Sequence, residues 1–119
     1  MTKNEAIYRF FSDFGLEAYP TSSVPEDVIF PYLTYANTVG NSGDVVNITA
    51  TIWYHTESEK EPNAKVEEIS EAIGRGGTQI PYDNGSIWIR RGSPWSNSLS
   101  DASDPQIKSR ALNIALEFV

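Results

Sequence analysis

Val45-Val46-Asn47-Ile48-Thr49-Ala50-Thr51-Ile52-Trp53-Tyr54-His55 is the stretch that decides the fold. Val46, Ile48, Ala50, Ile52 and Tyr54 fall on one side of an extended chain. Asn47, Thr49, Thr51, Trp53 and His55 fall on the other, which is the period of a strand with one buried face. Immediately upstream, Gly40-Asn41-Ser42-Gly43 reads as a turn. Tyr32 to Val39, rich in aromatic and β-branched residues, reads as a second strand paired to the first as a hairpin.

Working outward, residues 3–14 form an amphipathic helix. Thr2 and Glu5 have capping-box spacing, and Ile7, Phe10, Phe11 and Phe14 make one apolar stripe. Gly15 follows where a left-handed cap is expected. Leu16 to Tyr19 is a short extended piece, and Pro25 and Pro31 bias the residues before them toward extended backbone. After the charged segment Glu57 to Glu61, a second helix spans 62–73 with Pro62 in its first turn and Val66, Ile69 and Ile73 inward. Gly74, Gly76 and Gly77 end it. Tyr82-Asp83-Asn84-Gly85 is a turn into a strand over 86–91. Residues 92–105, with Gly92, Pro94, Pro105 and five serines, read as a long mobile loop. Residues 107–119 fit a helix by propensity and a strand by the alternation of Leu112, Ile114, Leu116 and Phe118, and the alternation decides for strand. The expected fold is α+β, a mostly antiparallel sheet of four to five strands with two helices packed on one face, in a single domain over 1–119.

The 119 residues carry a net charge of −7 and no cysteine, which excludes disulfides, thiolate catalysis and Cys-based zinc sites. The start has no apolar leader and no run long enough to span a membrane, so a soluble protein is expected. Residues 1–74 hold twelve acidic and four basic side chains, whereas residues 75–119 hold four and five. A surface this acidic repels phosphate backbones and argues against duplex binding.

The sequence offers little chemistry. His55 is the single histidine and has no identifiable nucleophile or orienting partner. Glu57, Glu59 and Glu61 alternate but lack the glycine and asymmetry of a calcium loop, so a solvated charge run is the simpler reading. Gly74-Arg75-Gly76-Gly77 follows a helix instead of preceding one and is no phosphate cradle. Catalytic residues, metal ligands and cofactors are therefore expected to be none. What stands out instead is aromatic and basic. Trp53 and Trp88 fall opposite the apolar strand faces, either as an exposed surface or beneath a second layer. Trp95 falls in the predicted loop, and Arg90, Arg91, Lys108 and Arg110 supply a basic C-terminal patch. Trp and Arg are the residues in which interfaces concentrate binding energy.

Several phrases recur in a telling order: Leu16-Glu17-Ala18-Tyr19, Val24-Pro25, Pro31-Tyr32-Leu33-Thr34-Tyr35, Ile52-Trp53, Gly85-Ser86-Ile87-Trp88, and Asp104-Pro105-Gln106-Ile107-Lys108-Ser109-Arg110 before a terminal strand. In this order, across nearly the whole chain, they resemble the tail-terminator (tail-completion) proteins of long-tailed bacteriophages, a family also described as minor capsid proteins. The resemblance implies an antiparallel sheet flanked by helices. It also implies a homo-hexameric ring that caps the tail tube, stops its polymerisation and offers the surface on which the head docks. The partners implied are other copies of the chain, the major tail tube protein and the head–tail connector proteins, with DNA only passing through the channel. The place implied is the head-proximal end of the virion tail, after synthesis in the host cytoplasm. The alternatives are another neck component, such as a head-completion or stopper protein, and a small-molecule enzyme or binding domain, which would need a polar pocket with strongly shifted pKa values.

Overall fold

A computed structural model describes residues 1–119. Its elements, in chain order, are α1 (Lys3–Phe11), β1 (Glu17–Pro20), β2 (Tyr32–Tyr35), β3 (Val45–His55), α2 (Lys60–Ile73), β4 (Thr78–Tyr82), β5 (Gly85–Ser100) and β6 (Ile107–Phe118). The fold is α+β, with two helices and one six-stranded sheet in the order β1-β2-β3-β6-β5-β4. No helix is long and apolar enough to cross a membrane.

The strand quoted first runs over the expected residues, and β6 takes the extended form that its alternation predicts. β6 lies centrally between β3 and β5, and all three run antiparallel to their neighbours. The capping box is formed: Thr2 Oγ1 accepts from Glu5 N, and the Glu5 carboxylate accepts from Thr2 N. α1 tightens into a 3-10 turn at Ser12–Phe14 and stops at Gly15, whose φ of 75° is left-handed.

Three expectations need correction. The sheet has six strands, and it is mixed, because β1 pairs parallel with β2. β4 was missed because its entrance is rich in glycine and it contains Pro81. Gly77 has φ 88°, and a Cβ there would meet Trp88 Nε1 at 2.5 Å and Ile89 O at 2.6 Å. The glycine lets the chain slip under Trp88 into the edge strand, and proline is tolerated on an edge. The long loop 92–105 does not exist. β5 continues to Ser100 across an irregularity between Arg91 and Ser96, and Ser96–Ser100 pair with Leu112–Lys108. Ladder pairing with β6 overrides the turn-like composition, and a bulge absorbs Gly92 and Pro94. Residues 94–104 are therefore half of a structural hairpin, not a removable loop.

Register defines the two faces of the sheet. Leu33, Ile52 and Arg110 stand side by side, as do Tyr35, Ala50 and Leu112, and then Ile114 beside Ile48. This face carries Ile87, Ile89, Leu116 and Phe118 and is covered by Ile7, Phe11 and Phe14 from the N-terminal helix and Val66, Ile69 and Ile73 from α2. Both helices therefore clothe one face, as the sequence predicts. The sheet curls around them.

Candidate functional site

The opposite face has no helix on it. Its outward positions on β3 and β6 are mostly small and neutral: Asn47, Thr49 and Thr51 beside Ala115, Asn113 and Ala111. Two aromatic clusters flank this small, neutral centre.

The first cluster is built on β2 and β3. Tyr32 is paired directly with Trp53, and their rings stack at 6.0 Å with planes 13° apart. Trp53 Nε1 donates to Thr34 Oγ1 at 3.0 Å, which fixes the indole flat along the sheet. Tyr19 meets Tyr32 at 6.3 Å, and Phe30 sits between Tyr32 at 5.3 Å and His55 at 5.6 Å. Burial raises the Tyr32 phenol above its ordinary range, so it stays a neutral hydrogen-bonding group at physiological pH.

The second cluster is built on β5 and β6. The Arg90 guanidinium lies 4.5 Å over the Trp88 ring and donates to Glu117 Oε1 at 3.0 Å. Trp88 Nε1 donates to Gly76 O at 3.0 Å. The glycine turn after α2 thus serves to seat a surface tryptophan.

The sequence-predicted interface residues divide between the two sides. Trp53, Trp88 and Arg90 share the uncovered face. Arg91 has the opposite parity and donates to Ser70 Oγ on α2 at 2.7 Å. Lys108 donates to Pro105 O within the hairpin. Arg110 is 5% exposed and bonds Glu59 and Asn63 at the start of α2. It is a buried strut holding helix to sheet, so the basic C-terminal patch dissolves and Arg110 leaves the set of surface residues. Trp95 lies on β5, not in a loop, half-buried against the core. Its indole N–H is buried without a partner. An unsatisfied donor costs about 1–3 kcal/mol. Trp95→Phe is therefore expected to unfold at the same temperature as the parent or a few degrees higher; a clear drop would show that the donor is satisfied.

Sequence reasoning missed Tyr19, Phe30 and Tyr32. Period-two parity carried the signal, because pairing Leu33 with Ile52 necessarily places Tyr32 beside Trp53.

The tip of the β5–β6 hairpin is clasped to the segment between β3 and α2. Thr56 N donates to Gln106 O, Gln106 Nε2 to Glu57, and His55 Nε2 lies 3.0 Å from Asp104 Oδ2. The alternating glutamates are thus separately engaged, Glu57 with Gln106 and Glu59 with Arg110, and no group of three or more acidic or histidine side chains is gathered as a metal would need. Arg110 holds the Glu59 carboxyl below the ordinary glutamate range. The Ser103 hydroxyl and backbone N–H, then the Asp104 N–H, lower Asp101; the Gln106 N–H, then His55, lower Asp104. Carboxyls depressed in the fold stabilise it above their unfolded pKa, and that stability is lost as pH falls through the folded values. Thermal unfolding should hold steady down to the ordinary values of 4.5 and 3.8 and then fall. A flat profile down to pH 2.5 would contradict the clasp.

No family model matches this chain, and no curated protein matches it.

Proposed function

We propose that this chain is the tail-terminator subunit of a long-tailed bacteriophage, a structural protein that acts as a ring on the end of the tail tube. The observation that carries the proposal is the helix-free sheet face, nearly free of unpaired charge, with half-buried Trp53 stacked on buried Tyr32 at one side and half-buried Trp88 and Arg90 at the other. Interface centres are depleted in charge and enriched in Tyr, Trp and Arg, and this face has a charge-free centre with Tyr, Trp and Arg at its two sides. A curved, strand-built surface without a helix over it suits docking onto another ring of protein.

The acidic side chains gather elsewhere. Glu61, Glu67, Glu68 and Glu71 are exposed along α2. Placed toward the channel, that helix repels the DNA sliding past, which keeps the strand from sticking. The uncovered face then meets the tube or the neck. The ordered phrases from Leu16 to Arg110 support the same reading.

Depletion of the protein from an infection tests the proposal. Over-long or ragged tubes are the expected result. Normal tails beside unfinished heads would assign the chain to the neck, and normal particles would end the proposal.

A further inference from the structure

We infer that Ile29 of one subunit inserts into the groove between α1 and β4 of a second copy, making the head-to-tail contact of the ring; the inference rests on the ring reading above. Ile29 is 81% exposed, the most exposed large apolar side chain of the chain. It is also held in place. Val28 N donates to Pro25 O, closing a turn, and the next residue, Phe30, is wedged between Tyr32 and His55. An apolar side chain presented on an anchored loop loses little freedom when it binds.

The groove is about 480 Å³ in volume and is lined by Met1, Ala6, Phe10, Ile80 and Pro81, with Arg9 and Asp13 among its polar residues. Arg9 forms no ion pair within the chain, and neither do Glu26 and Asp27 beside the knob. The free cation of the groove therefore complements the free acids of the knob. Asp13 opposes them, so Asp13→Asn should tighten the contact and Arg9→Glu should weaken it.

Knob and groove lie at opposite ends of the strand axis. Phe30 touches His55, the last residue of β3, whereas Ile80 pairs with Ile87 and Ile87 with Phe118, which bonds to Asp44 just before β3 begins. The eleven residues of β3 span about 33 Å between these levels. One subunit cannot fill its own groove. The contact is heterologous, and such contacts close into rings when the rotation allows. The contact is also small beside the ~800 Å² per partner of a stable pair, so single contacts are weak and closure on a tube supplies the rest.

The chain has no native cysteine, which makes cross-linking decisive. The full-length Ile29→Cys/Pro81→Cys variant, mixed with its tube protein and oxidised, should give a covalent ladder ending at six. Each single variant should give at most a dimer. Ile29→Asp should lower ring capping ten- to hundred-fold without changing the melting temperature. Rings visible on tubes with no ladder, and unaffected by Ile29→Asp, would overturn the contact and leave the terminator reading standing. A ladder without any effect of the protein on tubes would support the contact as self-association and end the terminator reading.

Discussion

Ala111→Lys is expected to leave the melting temperature within a few degrees of the parent and to lower the yield of joined particles by at least a hundredfold. Ala111 faces outward at the middle of the sheet, flanked by Thr51 on one side and Asn97 on the other. Ala111 is half-buried between its strand neighbours and no helix covers it, so a lysine there can extend into water, and substitutions away from the core change stability by about 0.5 kcal/mol or less. Docking changes that. Covering an unpaired ammonium costs several kcal/mol even after relaxation, and about 2.7 kcal/mol is already a hundredfold in affinity. In the proposed ring the penalty recurs at every subunit. Melting by circular dichroism and counting of joined particles by electron microscopy separate the two effects. A variant that docks normally would show that this face stays in solvent.

Phe11→Ala is expected to destabilise the fold by about 3–5 kcal/mol, the range for truncating a buried phenylalanine. Phe11 is 1% exposed, stacks on Tyr35 at 4.9 Å and meets Phe10 edge-on at 5.2 Å. It is the main peg between α1 and the sheet. Against a total stability of about 5–15 kcal/mol, the loss lowers melting by roughly 10–20 °C. Phe10→Ala should cost clearly less, because Phe10 is only half-buried. Equal losses from the two substitutions would refute this account of how the helix is anchored.

The parts of the fold legible in the sequence are those in which one local rule acts without competition. The alternation of β3 and the capping box of α1 are such cases, whereas at β6 alternation competes with helix propensity and prevails. The second half of β5 was not legible, because Gly92, Pro94 and the serines carry loop chemistry and only pairing with β6 makes them a strand. β1 shows in the sequence as the short extended piece Leu16 to Tyr19, whereas β4 is a short edge strand containing Pro81, which weakens any periodic signal. For the residues expected at an interface, the face of the sheet on which each stands was not legible. Arg90 and Arg91 are neighbours that point to opposite faces. Arg110 shares the parity of Leu112 and Ile114, so the alternation that identified β6 also places this arginine under α2. Composition alone places an arginine on the surface, whereas Glu59 and Asn63 give Arg110 partners that make burial tolerable.

Electron microscopy of the purified chain mixed with its tail tube protein bears most directly on the claim that this subunit ends a tube. The expected result is tubes that stop growing and carry a six-fold ring at one end, with the uncovered sheet face against a neighbouring protein layer. Tubes that lengthen as freely with the protein as without it, and carry no ring, would contradict that claim.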